Sequence, residues 1–411
     1  MVINPTMSRT PRSPRSDALG GAGAALRRQR RTALGGFLGF GAWWGAWGAV
    51  LPAVQRSAGV DDGGLGSALL FVGGGALASM RVTGRLVDRF GDAVLPAVVL
   101  AFAVVGVTPA LVRGGVALTV SLALLGAASG AVDVAVNTAS ARYEATSRQP
   151  LMHLAHAMFS VGVIGSSVIA GGLRAAGASP AVVLALVGGG LVLLALGMGL
   201  RAVGPRHGGR RQRPAAPDGA RLPAPWPSWR PPGRLVVIGV LIALAYFVEN
   251  AWQTWSAVHL ERNLAAGPAI SALGPALFAS SAAAGRLAGQ RLTRRHRAQR
   301  LVAAGGALAA AGTVTAATGA TVPLVLLGVV GAGVGTSVCA PTLFSLAARN
   351  VAAAHRGAVT GSVTTLAYLG FVLAPAFVGL LARVSSLRLA LACVAGAAVL
   401  LTLGSGRARA G

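Results

Sequence analysis

Two carboxyls, Asp133 and Glu249, lie well inside long apolar runs of a 411-residue chain that has only ten acidic residues. On insertion scales an ionisable group at the centre of a membrane helix costs about 2.5–3.5 kcal/mol, so such groups face a cavity or a partner and mark a pathway. Asp133 lies in GAASGAVDVAVNTASARYE, where Asn137 is one helical turn on and shares its face. A carboxyl beside an amide binds a proton and hydrogen-bonds a polar solute. Glu249 lies in AYFVENAWQTWSAVHL, where Gln253 repeats that spacing and Asn250, Trp252 and Trp255 are close. Aromatic rings beside amides suit the apolar faces and hydroxyl edges of small organic molecules. Asp133 and Glu249 are therefore proton-coupling candidates, and Asn137, Asn250, Trp252, Gln253 and Trp44 candidate solute contacts. The competing reading is that each acid pairs with a buried arginine or a backbone group and only fixes helix packing.

The other reactive side chains say less. Trp43, Trp44 and Trp47 cluster within the first apolar run. An interfacial aromatic belt or plain packing accounts for them, with Trp44 also a candidate cavity residue. His153 and His156 flank the start of another run, and a histidine titrates near neutrality, so His156 joins the proton-relay candidates beside a helix-end hydrogen-bonding role. Cys339 and Cys393 sit in apolar runs and suggest packing, not a disulfide or metal site. No Walker A sequence, zinc-ligand pair or Gly-x-Ser-x-Gly elbow occurs, so no metal, cofactor or enzymatic activity is expected.

The elements that must carry these residues follow from composition. With 54% apolar and 11% charged residues, the chain has too little polar surface for a water-soluble globule of its length. A helix crosses a bilayer core of about 30 Å with about 20 apolar residues. Runs of that length fall near 33–53, 65–86, 93–112, 115–141, 151–173 and 180–200, then near 235–258, 269–289, 301–319, 322–346, 358–382 and 388–405. Residues 1–32 read as a disordered cytoplasmic tail, 33–200 as one six-helix bundle, 201–234 as a Pro- and Arg-rich cytoplasmic linker, 235–405 as a second bundle and 406–411 as a cytoplasmic tail. The expected fold is all-α, with twelve transmembrane helices in two pseudo-symmetric six-helix bundles.

The formal charge of +26 raises the possibility of nucleic-acid binding, but the arginines lie between apolar segments as membrane-flanking anchors, and no such partner is expected. With the N-terminus inside, the outside loops hold six of the 36 arginines, Arg56, Arg113, Arg174, Arg262, Arg383 and Arg388. Positive loops stay inside during insertion, which puts both termini in the cytoplasm of a cell-membrane protein. The halves also show matches at one offset of 205 residues: Arg81-x-x-Gly84 with Arg286-x-x-Gly289, Gly126 and Gly130 with Gly331 and Gly335, and Gly165 with Gly370. At that offset Val338 and Thr342 stand where Asp133 and Asn137 do, so the carboxyl has no twin.

The loop after the second run, Gly84-Arg-Leu-Val-Asp88-Arg89-Phe-Gly91, resembles the Gly-x-Leu-Ala-Asp-Arg-x-Gly signature of the major facilitator superfamily, with Asp92-Ala93 in place of the usual basic pair. Asp133-Val-Ala-Val-Asn137, the run Arg148 to Gly162, and Glu249 to Leu260 are similar to motifs of a bacterial branch resembling fucose permeases. Gln149, Asn250, Thr254 and His259 depart from that pattern. The resemblance implies the major facilitator fold, a gating motif at Gly84, Asp88, Arg89 and Gly91, and proton coupling through the fourth-helix acid. It further implies a monomeric secondary transporter whose partners are a small-molecule solute, protons and membrane lipid. Few cavity charges and many small side chains fit a neutral or amphiphilic solute, with a slight lean to efflux of a drug or metabolite; import of a sugar-like solute and a non-transporting membrane sensor remain open.

Overall fold

The computed structural model describes residues 14–202, 233–293, 295–348 and 356–407, and these are helical with short turns. The N-terminal half holds α1 (Pro14–Ala58), α2 (Asp62–Phe90), α3 (Val94–Val105), α4 (Gly115–Ser147), α5 (Met152–Ala175) and α6 (Pro180–Ala202). The C-terminal half holds α7 (Gly233–Leu264), the short α8 (Pro268–Ser271), α9 (Leu273–Leu292), α10 (Ala298–Thr318), α11 (Val322–Ala348), α12 (Arg356–Val384) and α13 (Leu387–Gly404). Each of the twelve expected runs coincides with one helix, α3 being the shortest at 12 residues.

Among the described residues ten helical runs are long and apolar enough to cross a membrane. The difference from twelve has two physical sources. Asp62–Ala110 is one apolar stretch in that count, yet the chain reverses inside it: Gly91 at φ 66° makes the turn, and α3 returns until Gly114 donates to the Ala58 carbonyl at the end of α1. The other is α9, which carries Arg286 and Arg291 among glycines, serines and alanines and is too polar by composition alone.

The N-terminal boundary differs from expectation. Helix α1 starts at Pro14, so residues 14–32, expected as tail, are helical. Proline at a helix start, alanine and solvated arginine all favour this extension over coil. Residues 203–232 of the expected linker and 408–411 of the expected C-terminal tail lie outside the described residues.

The two halves repeat one packing scheme. Helix α1 packs on α4, α5 and α6, and α7 packs on α11, α12 and α13; α2 on α4 matches α9 on α11, and α3 on α6 matches α10 on α13. Glycine makes these approaches possible, as is common between helices in lipid. A Cβ at Gly41 or Gly45 would collide with the carbonyls of Phe159 or Val163 on α5, and one at Gly126 with that of Val72 on α2.

The glycine register that suggested a repeat is nonetheless not the structural one. Gly126 and Gly130 face α2, whereas Gly331 and Gly335 face α10. Gly370 abuts the Ala243 carbonyl on α7, while Gly165 faces open space. The counterpart of Gly370 is Gly162, which abuts the Leu38 carbonyl, and Leu38 and Ala243 do stand 205 residues apart. The offset holds at α1 and α7 and drifts by three residues by α5 and α12. The repeat therefore lives in helix pairing more than in residue matches.

Large apolar side chains such as Val116, Leu193, Leu327 and Val384 are exposed on this surface, as a bilayer-covered belt requires. Overpacking an interior contact costs about 1–3 kcal/mol. Gly370→Ala should therefore lower the melting midpoint in detergent by several degrees, while Gly165→Ala leaves it within error; equal midpoints for the two would contradict the register above.

Candidate functional site

A cavity of about 250 Å³ lies between the halves, lined from α1, α2, α4 and α5 on one side and α7, α9 and α12 on the other. Its walls include Phe40, Trp44, Ser129, Asp133, Phe159, Asn250, Gln253, Thr254, Tyr368 and Phe371. Local helix geometry fixes the polar members. On α4, the Asn137 amide Nδ2 donates to Asp133 Oδ1 at 3.0 Å and to the Asp133 carbonyl at 2.9 Å, the expected one-turn pairing. Asp133 is half-buried and, among the described residues, makes no ion pair. On α7, Asn250 Nδ2 donates to the Phe371 carbonyl of α12 at 2.5 Å, and Thr254 Oγ1 donates to Asn250 Oδ1 at 3.3 Å. Asn250 is thus at the wall but largely committed to joining two helices.

Glu249 differs from Asp133. Its Oε1 accepts from Gln253 Nε2 at 3.0 Å and from Arg286 of α9 at 3.2 Å, and it stands behind the cavity wall. The pairing with an arginine that competed with a pathway role is what the structure holds here. Gln253 reaches the cavity itself, with one amide hydrogen spent on Glu249.

Trp252 does not contact the cavity. It is fully buried and donates Nε1 to Thr313 Oγ1 of α10 at 3.1 Å, because it lies on the face of α7 that turns into its own bundle. Trp44 does line the cavity, edge-on to Trp43 at 5.1 Å, while Trp43 and Trp47 stack at 5.5 Å. Trp43 is fully buried and Trp47 nearly so; this cluster is wall and core, not an interfacial belt. His156 is exposed, outside the cavity lining, with its ring edge-on to Phe37 at 4.9 Å.

The motif residues Gly84, Asp88, Arg89 and Gly91 lie at the α2–α3 turn, away from the cavity. Asp88 is exposed and makes no ion pair among the described residues, and Arg89 sits 5.3 Å above the Phe90 ring. Asp92, which stands where a basic residue was expected, accepts from Arg142 of α4 at 3.3 Å, so the turn is tied within its own half. Nearby, Glu144 closes α4 to α5 by accepting from the backbone of Leu151 and Met152 at 2.6 and 2.8 Å.

Several cavity and interface positions lie outside the sequence expectations. Tyr368 and Phe371 supply the α12 wall, and Tyr368 is one of only three tyrosines in the chain, a rarity that could have marked it. The larger omission is at the end opposite the termini, where Glu261 of α7 accepts from Arg174 of α5 at 2.5 Å and from Arg56 of α1 at 2.9 Å. There Arg262 also pairs with Asp62, and Arg383 with Asp61 at 3.3 Å. The signal was available: these acids sit in the same few loops as the arginines of that side. The Ser167 hydroxyl, donating to the Ala272 carbonyl, also joins the halves toward this end.

Two six-helix bundles around a central cavity, sealed at one end, define a multi-pass membrane carrier. The family model for the Major Facilitator Superfamily matches residues 32–375 and 276–405, and the chain belongs to that family of transporters. It is 31% identical over 367 residues to an uncharacterised MFS-type transporter of Yersinia pestis, covering 87% of this chain and 89% of that protein. It is 29% identical to an uncharacterised transporter of Sinorhizobium fredii, covering 86% and 91%. In fold it is similar to the nucleoside transporter NupG, with a TM-score of 0.75 at 15% identity over 93% of this chain and 100% of that one. The Escherichia coli fucose:proton symporter FucP gives 0.58 at 14% identity over 93% and 98%.

Losing one buried hydrogen bond costs about 1 kcal/mol. Trp252→Phe should therefore lower thermal stability in detergent modestly and leave solute affinity unchanged, whereas Trp44→Ala weakens affinity. A loss of affinity in Trp252→Phe at unchanged stability would return Trp252 to the cavity.

Proposed function

We propose that this chain is a proton-coupled secondary transporter of the cytoplasmic membrane that exports a small, uncharged or amphiphilic organic solute, a drug or metabolite, by alternating access. The observation that carries the coupling is the contrast between the two intramembrane acids. Glu249 is held by Gln253 and by the half-exposed Arg286, so protonating it gives up an ion pair. Asp133 faces the cavity with one amide partner and no arginine, so it gains and loses a proton without that penalty. Its place beside Tyr368 and Ser129 in the lining lets a solute hydroxyl or amide compete for the same carboxyl. Binding of proton and solute to one group is a direct route to coupling.

The solute class follows from the walls. Phe40, Trp44, Phe159 and Phe371 offer aromatic faces, while Ser129, Gln253 and Thr254 offer a few hydrogen bonds. Ligand pockets run from about 300 to 1,000 Å³, so a cavity of about 250 Å³ suits a small molecule. Arginine-rich loops on the side of the termini support placing both termini in the cytoplasm, with the cavity facing inward as the halves are drawn together at the other end. One chain contributes both walls, which supports a monomer as the working unit.

A second reading is import of a sugar-like solute, favoured by the amide and hydroxyl edge at Asn250, Gln253 and Thr254 beneath aromatic rings. Inside-out and right-side-out vesicles loaded with a metabolite panel separate the two. Export by proton antiport predicts solute uptake driven by an acid interior, whereas import by symport predicts uptake driven by an acid exterior. In proteoliposomes, solute-dependent proton movement should disappear in Asp133→Asn and persist in Glu249→Gln; coupling retained in Asp133→Asn would sink the assignment.

A further inference from the structure

We propose that Glu261 is the central carboxylate of a gate at the end opposite the termini, and that its pairing with Arg174 sets the balance between the two access states. The proposal rests on alternating access alone and is independent of solute, direction and orientation in the membrane.

The geometry is specific. Glu261, at the last turn of α7, accepts from the Arg174 guanidinium at 2.5 Å, from Arg56 at 2.9 Å and from the Ser271 hydroxyl of α8 at 2.8 Å. The arginines belong to the N-terminal half and the acceptor to the C-terminal half. The Arg174 side chain is 4% exposed and Glu261 8%, whereas Arg56 is 59% exposed. Exposed pairs contribute little, while a charge left alone in a buried site is strongly unfavourable. Arg174 is therefore the partner that matters and Arg56 an accessory. Arg174 also donates to the Ala49 carbonyl at 2.7 Å, which fixes its guanidinium against α1 so that α7 must come to it.

Two further crossings flank this centre with the opposite polarity. Asp62, held by Gln55 at 2.7 Å, accepts from Arg262 of α7, and Asp61, the N-cap of α2, accepts from Arg383 of α12 at 3.3 Å. Around them the backbones are in close contact: Gly66 meets Gly379, and Gly171 meets Ala272. Separation of the halves at this end must break all three crossings, and only the Arg174–Glu261 contact has both charges buried.

The test uses the full chain in nanodiscs, with spin labels at Arg113 and Ala320, exposed loop positions of the two halves at this end, after Cys393→Ser removes the exposed cysteine. Pulsed dipolar spectroscopy then reads the populations of close and separated distances. Glu261→Gln should raise the separated population at least tenfold, Glu261→Asp should largely restore the close state, and Arg56→Gln should change it less than twofold. Should Glu261→Gln fail to fold, Arg174→Gln in the same labelled chain is expected to shift the population in the same direction. A folded Glu261→Gln or Arg174→Gln with an unchanged distance distribution overturns the proposal. So does an Arg56→Gln effect as large as theirs.

Discussion

Charge can be placed in only a few ways in a chain whose solvent is hydrocarbon, and this constraint arranges most of the molecule. An ionised group at membrane depth must find a partner or an aqueous cavity. The described acids divide along these lines. Glu261 and Asp62 pair across the halves, Glu249 pairs within one, Glu144 caps a helix, and Asp133 faces the cavity. With so few acids each location has a physical reason, and the proposed coupling rests on the one carboxyl that lines the cavity. The arginines obey the same rule in reverse, since most are gathered at the helix ends and in the loops on the side of the termini.

Backbone approach is the second determinant. Helix pairs in lipid gain little from the hydrophobic effect, so van der Waals contact between small residues has to hold them. The Gly41 and Gly45 face of α1 against α5, and Gly370 against α7, supply that contact within the bundles. Between the bundles the glycine contacts at Gly66 and Gly171 lie on the sealed side. The interfaces within each half rest on small residues, and the one between the halves combines small residues with charge.

Much of this was legible in the residues. Most of the helices were readable because a span of about 20 apolar residues is a strong signal, which weakens at α9 and at the turn between α2 and α3. Asp133 with Asn137 was readable because helical spacing at i and i+4 places two side chains together without tertiary knowledge. Trp252 was misplaced for the complementary reason: its neighbours Gln253 and Asn250 reach the cavity, but residues adjacent in sequence point about 100° apart on a helix. The glycine register was misleading because glycine is abundant, so matches at any offset come easily, and a three-residue drift between the halves cannot be seen in composition. The ion pairs at the sealed end were invisible as pairs, since Arg174 and Glu261 are brought together only when two bundles close.

The sealed end also explains why the halves are alike in scaffold and unlike in chemistry. Arg56 and Glu261 stand 205 residues apart, the spacing that relates Leu38 of α1 to Ala243 of α7, so they occupy equivalent places in the two repeats. Equivalent positions near a two-fold axis face each other. If the repeats were identical there, like charges would meet within a few ångströms and drive the halves apart at that end. A duplicated bundle can therefore keep its helix pairings but must diverge wherever its copies touch: Arg56 opposite Glu261 removes the repulsion, and the buried Arg174 supplies the closing contact. The cavity carries the same asymmetry: its one carboxyl, Asp133, comes from α4, and α11 contributes nothing to the lining.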